Sequence, residues 1–78
     1  MRKMNKKRIR LDASEDVQEF VKAAGTCDFD IDVLYQRILI DAKSLLGVMS
    51  LGLSKELTIQ YSGSNNHFEN VMKKFAVA

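Results

Sequence analysis

The feature that most constrains the fold is the changing period of the apolar residues along the chain. From Cys27 to Val33, apolar and acidic residues alternate strictly, which predicts a strand with one buried face and one wet face. Two other segments repeat apolar residues at i, i+3, i+4 and i+7, the spacing of one helical face. These stripes are Val17, Phe20, Val21 and Ala24, and then Phe68, Val71, Met72 and Phe75. The chain therefore combines strands and helices that each have one apolar side.

Weaker patterns supply the remaining elements. Residues 6–11, 37–41 and 57–61 predict three further strands, and Ser44 begins a short helix that Gly52 closes. We expect Asp12 or Ser14 to cap the first helix, Gly25 to end it, and Ser64 or Asn65 to cap the last one. The order is β-α-β-β-α-β-α. One antiparallel sheet with the helices on one side, an α+β fold, buries all of these apolar faces.

Length and cysteine content bound the class of protein. The 78 residues predict a single domain over residues 1–78, with residues 1–5 frayed. One cysteine, Cys27, allows no disulfide framework within the chain and fits a reducing cytoplasmic location. No apolar run approaches the roughly 20 residues of a membrane span, and no apolar segment follows the basic start as it does in a signal peptide.

The charge is unevenly distributed, although the formal net charge is only +2. Six of the 12 basic residues lie in residues 1–11, which contain no acidic residue. One interpretation is an arm over residues 2–10 that contacts nucleic acid. The other is a solvated tail and an edge strand whose lysines discourage pairing with other chains. We favour the second interpretation, because no aromatic residue is interleaved with the charges.

The segment from Lys43 to Gly52 resembles a known family. Its core, Gly47-Val48-Met49-Ser50-Leu51-Gly52, is similar to the regulatory-serine segment of HPr, the small phosphocarrier of bacterial sugar phosphotransferase systems, in its Gram-positive form. A second similar segment, Phe20-Val21-Lys22 on the first helix, fixes the alignment of this chain with the family. The family implies an open-faced sandwich in which three helices cover one face of a four-stranded antiparallel sheet.

The resemblance also implies that the carrier chemistry is missing. HPr accepts its phosphoryl group on a histidine just before the first helix, followed closely by an arginine and a proline. Alignment on Phe20-Val21-Lys22 places Ala13 at the histidine, Glu15 at the arginine and Asp16 at the proline. Each carboxylate near a phosphoryl group costs about 1–4 kcal/mol. An alternative alignment of residues 9–11 with the family's first strand deletes the active loop. Both predict a diverged protein without a catalytic residue, not an enzyme, like the catabolite-repression HPr-like proteins.

Ser44 has two compatible interpretations. It caps a helix, and by resemblance it is a regulatory phosphosite for HPr kinase. The apolar residues after it are more numerous than a short helix can bury on one side. We therefore predict a docking surface for protein partners, which the family suggests are HPr kinase, a phosphotransferase-system component or a transcriptional co-regulator. The residues of this predicted surface are Leu45, Leu46, Val48 and Met49. The competing interpretation is that most of them fill the core.

His67 is the only histidine in the chain. A phosphocarrier with a non-standard acceptor would have to use it, although no arginine is near in sequence and Glu69 is. His67 has no metal-ligand partner at helical spacing. Asp28, Asp30 and Asp32 lack the glycine and the terminal glutamate of a calcium loop and suit the wet face of a strand better. The sequence predicts no metal and no cofactor.

Overall fold

A computed structural model describes residues 4–77. The elements are β1 (Asn5–Arg10), α1 (Ser14–Gly25), β2 (Ile31–Tyr35), β3 (Ile38–Asp41), α2 (Leu45–Met49), β4 (Glu56–Tyr61) and α3 (Asn66–Phe75). This order is the β-α-β-β-α-β-α order predicted from the sequence. No helix in the described part of the chain is long and apolar enough to cross a membrane.

The four strands form one antiparallel sheet in the order β1-β4-β2-β3. Ile9 lies opposite Leu57, and Val33 lies between Ile59 on one side and Ile40 on the other. The side chains at these paired positions lie on the face of the sheet that the helices cover. The strands at the two edges are therefore β1 and β3.

The core lies between this face of the sheet and the three helices. Ile9, Ile31 and Ile59 are fully buried from the sheet side. From the helices, Phe20 and Phe68 pack with ring centroids 5.9 Å apart. Phe68 also meets the Tyr61 ring edge-to-face at 5.3 Å. The two helical stripes predicted from the sequence thus supply the aromatic centre of the core.

The strictly alternating segment forms less strand than predicted, because β2 begins only at Ile31. The Cys27 N–H donates to the carbonyl of Ala24 at 3.1 Å, which makes Cys27 the end of the first helical segment. Asp28 and Asp30 lie in the following connection, so only Asp32 of the three aspartates is on a strand. The chain needs these residues to cross from the end of α1 to the sheet, where β4 pairs only with residues 31–34.

Several predicted boundaries were also wrong. Ala13, not Asp12 or Ser14, is the N-cap of α1. Gly25 is the last residue of α1, as predicted, but the residue that caps the helix is Thr26, in right-handed conformation. At the other helices, Ser44 and Asn65 are confirmed as N-caps. Residues 1–3 of the predicted frayed segment lie outside the described residues, and β1 already begins at Asn5.

Candidate functional site

The N-terminus of α1 is occupied by a side chain of the protein itself. Ala13 adopts an extended conformation, with φ −136°, and its methyl group offers no acceptor to the first turn. Asp16 lies three residues further on, and its Oδ2 accepts the N–H groups of Asp12 and Ala13, both at 3.2 Å. Backbone donors at a helix N-terminus are the groups that bind anions. Here a carboxylate has taken two backbone donors, those of the N-cap Ala13 and of the preceding Asp12.

The other charged groups at this end of α1 are also engaged. The Ser14 hydroxyl donates to Glu15 at 2.9 Å and, together with the Glu15 N–H, holds the pKa of Glu15 below its ordinary value. Arg10 donates from Nε to Asp12 at 2.9 Å. This contact, followed by one from Ser54, lowers the pKa of Asp12. The first turn therefore presents ionised carboxylates, and its nearest guanidinium is already paired.

Ser44 begins α2 in the way predicted. Its Oγ accepts the Gly47 N–H at 3.1 Å, and the side chain is exposed. Gly47 lets α2 lie close to the sheet, since a Cβ at this position would be 2.8 Å from Cγ2 of Ile40 on β3. The glycine in the family-like segment is thus required by the packing of α2 on β3.

The predicted docking surface is exposed at three of its four residues. Leu46 is 85% exposed, and Leu45 and Met49 are 42% and 38% exposed. Val48 is 1% exposed, so its inclusion was wrong. Because α2 is short and lies against the core, the side of the helix that carries Val48 faces inward. We call Leu45, Leu46 and Met49 the α2 surface.

Leu53 is a further exposed apolar residue that sequence reasoning missed. It is 40% exposed and follows Gly52, whose φ of +88° ends the α2 segment. The sequence did contain a signal for this exposure. Leu53 directly follows the glycine that ends the α2 segment, so it no longer belongs to the buried face of the helix. Leu53 therefore adds apolar area next to the end of α2.

Two hydrogen-bonded segments bring the α2 region close to the start of α1. The Ser54 N–H donates to the carbonyl of Leu11 at 2.8 Å, and Ser54 adopts a left-handed φ of 60°. Ser54 also contacts the carboxylate of Asp12. The end of the α2 segment and the loop before Ala13 thus belong to one side of the molecule.

His67 lies at the other end of α1. It is an exposed residue near the start of α3, whose cap Asn65 donates to the carbonyl of Thr26 at 3.3 Å. Thr26 follows the last residue of α1, and a 12-residue helix is about 18 Å long. The structure therefore does not bring His67 to the position that the histidine of HPr would occupy.

The basic N-terminal residues within the described part of the chain are not a free arm. Lys6, Arg8 and Arg10 alternate with buried Ile9 and so lie on the face of the sheet opposite the helices. Arg8 forms an exposed ion pair with Glu56 at 3.1 Å, across β1 and β4. Arg2 and Lys3 of the predicted arm lie outside the described residues.

Another concave surface is lined neither by Ala13 and Glu15 nor by Ser44 and the α2 surface. A groove of about 760 Å³ lies between β1 and α3, with Lys7, Met72 and Lys73 among its lining residues. Within residues 4–77 no group of three or more histidine, cysteine or acidic residues is arranged to hold a metal ion. The candidate site is therefore the surface that joins the start of α1 to α2.

The fold and this surface define a class of protein, the small open-faced sandwich with three helices on one face of a four-stranded sheet. The sequence model of the family described as "PTS HPr component phosphorylation site" matches residues 15–77. The chain belongs to the HPr family of the sugar phosphotransferase system.

Two solved structures of HPr proteins are similar to this chain in fold. The phosphocarrier protein HPr from Bacillus anthracis str. Ames is 26% identical, with 92% of this chain and 96% of that chain covered and a TM-score of 0.72. HPr-C-His from Thermoanaerobacter tengcongensis is 20% identical, with 92% of each chain covered and a TM-score of 0.71. The second likeness concerns the fold alone.

Proposed function

We propose that this HPr-family protein is a regulatory or interaction protein that does not carry a phosphoryl group on histidine. The observation that carries the proposal is the carboxylate of Asp16 on the N–H groups of Asp12 and Ala13. An incoming phosphoryl group would lie beside this carboxylate and approach the ionised Glu15, and both negative charges oppose it. Ala13, at the position aligned with the family's histidine, has no atom that could accept it.

The proposed activity lies in Ser44 and the α2 surface. The Ser44 hydroxyl is exposed and accepts a single hydrogen bond, so a kinase of the HPr-kinase type can reach it. A phosphate at Ser44 would change the charge next to Leu45, which is exposed on the same helix. The partners proposed for this surface are HPr kinase, another phosphotransferase-system protein or a transcriptional co-regulator.

The first test is phosphotransfer from phosphoenolpyruvate. The protein is incubated with enzyme I and phosphoenolpyruvate beside an authentic HPr, and acid-labile phosphate is measured by intact mass. We expect a phosphorylated form of the authentic HPr only. Stoichiometric labelling of this protein would reject the proposal. Loss of that label in His67→Ala would then establish the alternative, a phosphocarrier with a non-standard acceptor.

The second test is phosphorylation by HPr kinase and ATP. We expect one phosphate on the wild type and none on Ser44→Ala. Ser50→Ala is the matched control, because Ser50 lies at the other end of the same helix and its hydroxyl donates to the carbonyl of Gly47 at 2.6 Å. Equal labelling of wild type and Ser44→Ala would contradict the role proposed for Ser44.

A further inference from the structure

The two edges of the sheet are protected differently. Along β1, the Val77 N–H donates to the carbonyl of Arg8 at 3.1 Å, and Ala76 forms a bridge with Ile9. The outer edge of β3 has no strand partner within residues 4–77. Ile38 and Leu39 on β3 are 47% and 60% exposed. An exposed apolar edge strand is a template for pairing with another chain.

The hydrogen-bond register determines which backbone groups of β3 face outward. The Ala42 N–H donates to the carbonyl of Ile31 at 2.9 Å. Antiparallel pairs alternate between bonded and non-bonded positions, so Ile40 and Ile38 also bond towards β2. The N–H and C=O groups of Leu39 therefore point away from the sheet. The N–H group of Asp41 also points away from the sheet.

Two copies of the sequence around this edge, aligned antiparallel, would place opposite charges next to each other. It reads Arg37-Ile38-Leu39-Ile40-Asp41, with opposite charges at its two ends. Leu39 and Asp41 share the open face, because side chains alternate along β3, and Arg37 directly precedes β3 in the turn after β2. The Oδ1 of Asp41 accepts the Lys43 N–H at 3.0 Å, which leaves Oδ2 for another donor.

We propose that β3 is a self-association surface that pairs antiparallel with β3 of a second copy of this chain, about a two-fold axis at Leu39. Leu39 of each copy then exchanges its outward N–H and C=O with Leu39 of the other. Ile38 lies opposite Ile40, and Arg37 lies opposite Asp41 of the second copy. The Asp41 N–H donates to the Arg37 carbonyl across the seam. This register gives hydrogen-bond partners to the outward backbone groups of β3 and places Arg37 and Asp41 of each copy opposite their counterparts in the other copy.

The interface is small, so we expect a reversible dimer at high concentration. Sedimentation equilibrium of the full chain over a wide concentration range measures its dissociation constant. Leu39→Lys places two like charges opposite each other and should weaken the dimer at least about tenfold. Leu46→Lys is the matched control, because it removes the most exposed leucine of the α2 surface without touching β3. We expect it to dimerise as the wild type does.

The charge pair tests the register. Arg37→Glu alone and Asp41→Lys alone should each weaken self-association, since each places like charges across the seam. An equimolar mixture of the two variants should form a heterodimer, in which the seam pairs Glu with Lys on one side and Arg with Asp on the other. Circular dichroism and thermal unfolding check that each variant remains folded.

Three outcomes would overturn the proposal. They are a wild type that stays monomeric at every concentration, a dimer that Leu46→Lys disrupts and Leu39→Lys does not, and no heterodimer from two folded charge variants. The proposal does not depend on the function proposed for Ser44, because β3 association is measured without kinase or enzyme I.

Discussion

The Asp16 carboxylate accepts the backbone N–H of Ala13 at 3.2 Å and so closes the start of α1 from within the chain. This is one half of a capping box, with the acidic residue at the third helical position. The other half is absent, because Ala13 has no side-chain oxygen to accept an N–H in return. The same carboxylate stabilises the helix, occupies two backbone donors at its start and places a negative charge there.

Restoring the family's residues should restore phosphoryl acceptance. We expect the triple variant Ala13→His, Glu15→Arg and Asp16→Pro to accept phosphate from enzyme I and phosphoenolpyruvate, measured as acid-labile phosphate. The variant adds an acceptor, replaces a carboxylate by a guanidinium and frees the N–H groups of Asp12 and Ala13. The double variant without Ala13→His is the control and should stay unlabelled. A labelled double variant would show that another residue accepts the phosphoryl group.

Removing the Asp16 carboxylate should destabilise α1. We expect Asp16→Ala to lower the free energy of unfolding by about 1 kcal/mol, because the Asp12 and Ala13 N–H groups lose their acceptor. Urea denaturation at neutral pH measures the change. Asp16→Asn keeps an acceptor oxygen without the charge and should lose less. Equal stability of the wild type and Asp16→Ala would mean that solvent replaces this carboxylate without cost.

Truncation of a buried and of an exposed apolar residue on α2 should change the free energy of unfolding by different amounts. Val48→Ala should lower the free energy of unfolding by about 2 kcal/mol, since it removes two methyl groups from a position 1% exposed. Leu46→Ala should change it by less than about 0.5 kcal/mol. Thermal and urea unfolding compare the two variants. A larger loss for Leu46→Ala would place Leu46 in the core.

The buried hydroxyl of Tyr61 makes stability depend on alkaline pH. This hydroxyl donates to Glu69, and burial, followed by this carboxylate, raises the pKa of Tyr61 well above its ordinary value. A raised pKa stabilises the folded state fully below the unfolded pKa of about 10, and this contribution is lost as pH rises beyond it. We expect Tyr61→Phe to weaken that alkaline loss of stability.

Urea unfolding at several pH values measures this effect. Below the unfolded tyrosine pKa, Tyr61→Phe should cost about 1 kcal/mol for the lost hydrogen bond. Tyr35→Phe is the control, because Tyr35 lies only half-buried at the end of β2. An unchanged pH profile in Tyr61→Phe would assign the alkaline transition to another group.

The sequence predicted the fold because its strongest signals are periodic. The helical stripes that contain Phe20 and Phe68 correctly identify two helices, since each stripe repeats over more than one turn. Strict alternation from Cys27 to Val33 was a poorer guide to the limits of β2. Alternation reports on side-chain faces and not on where a partner strand begins, and β4 reaches only as far as Ile31.

The candidate site was predictable only in part. Ser44 was found because its capping role follows from residue type and position. The burial of Val48 was not found, because all the residues from Leu45 to Met49 except Gly47 are apolar and no polar residue marks the wet side. Asp16 was identified by its alignment with a proline. Its position three residues after Ala13 was the overlooked sign that it would bind the N–H groups there.

The pairing of β1 with β4 has a consequence for synthesis on the ribosome. Within the described residues, β4 is the only strand neighbour of β1, and Ile9 lies opposite Leu57. An emerging nascent chain therefore presents Ile9 and its neighbours without a strand partner until β4 has left the exit tunnel. Lys6, Arg8 and Arg10 alternate along this segment, and their positive charges oppose its pairing with other copies before β4 is available.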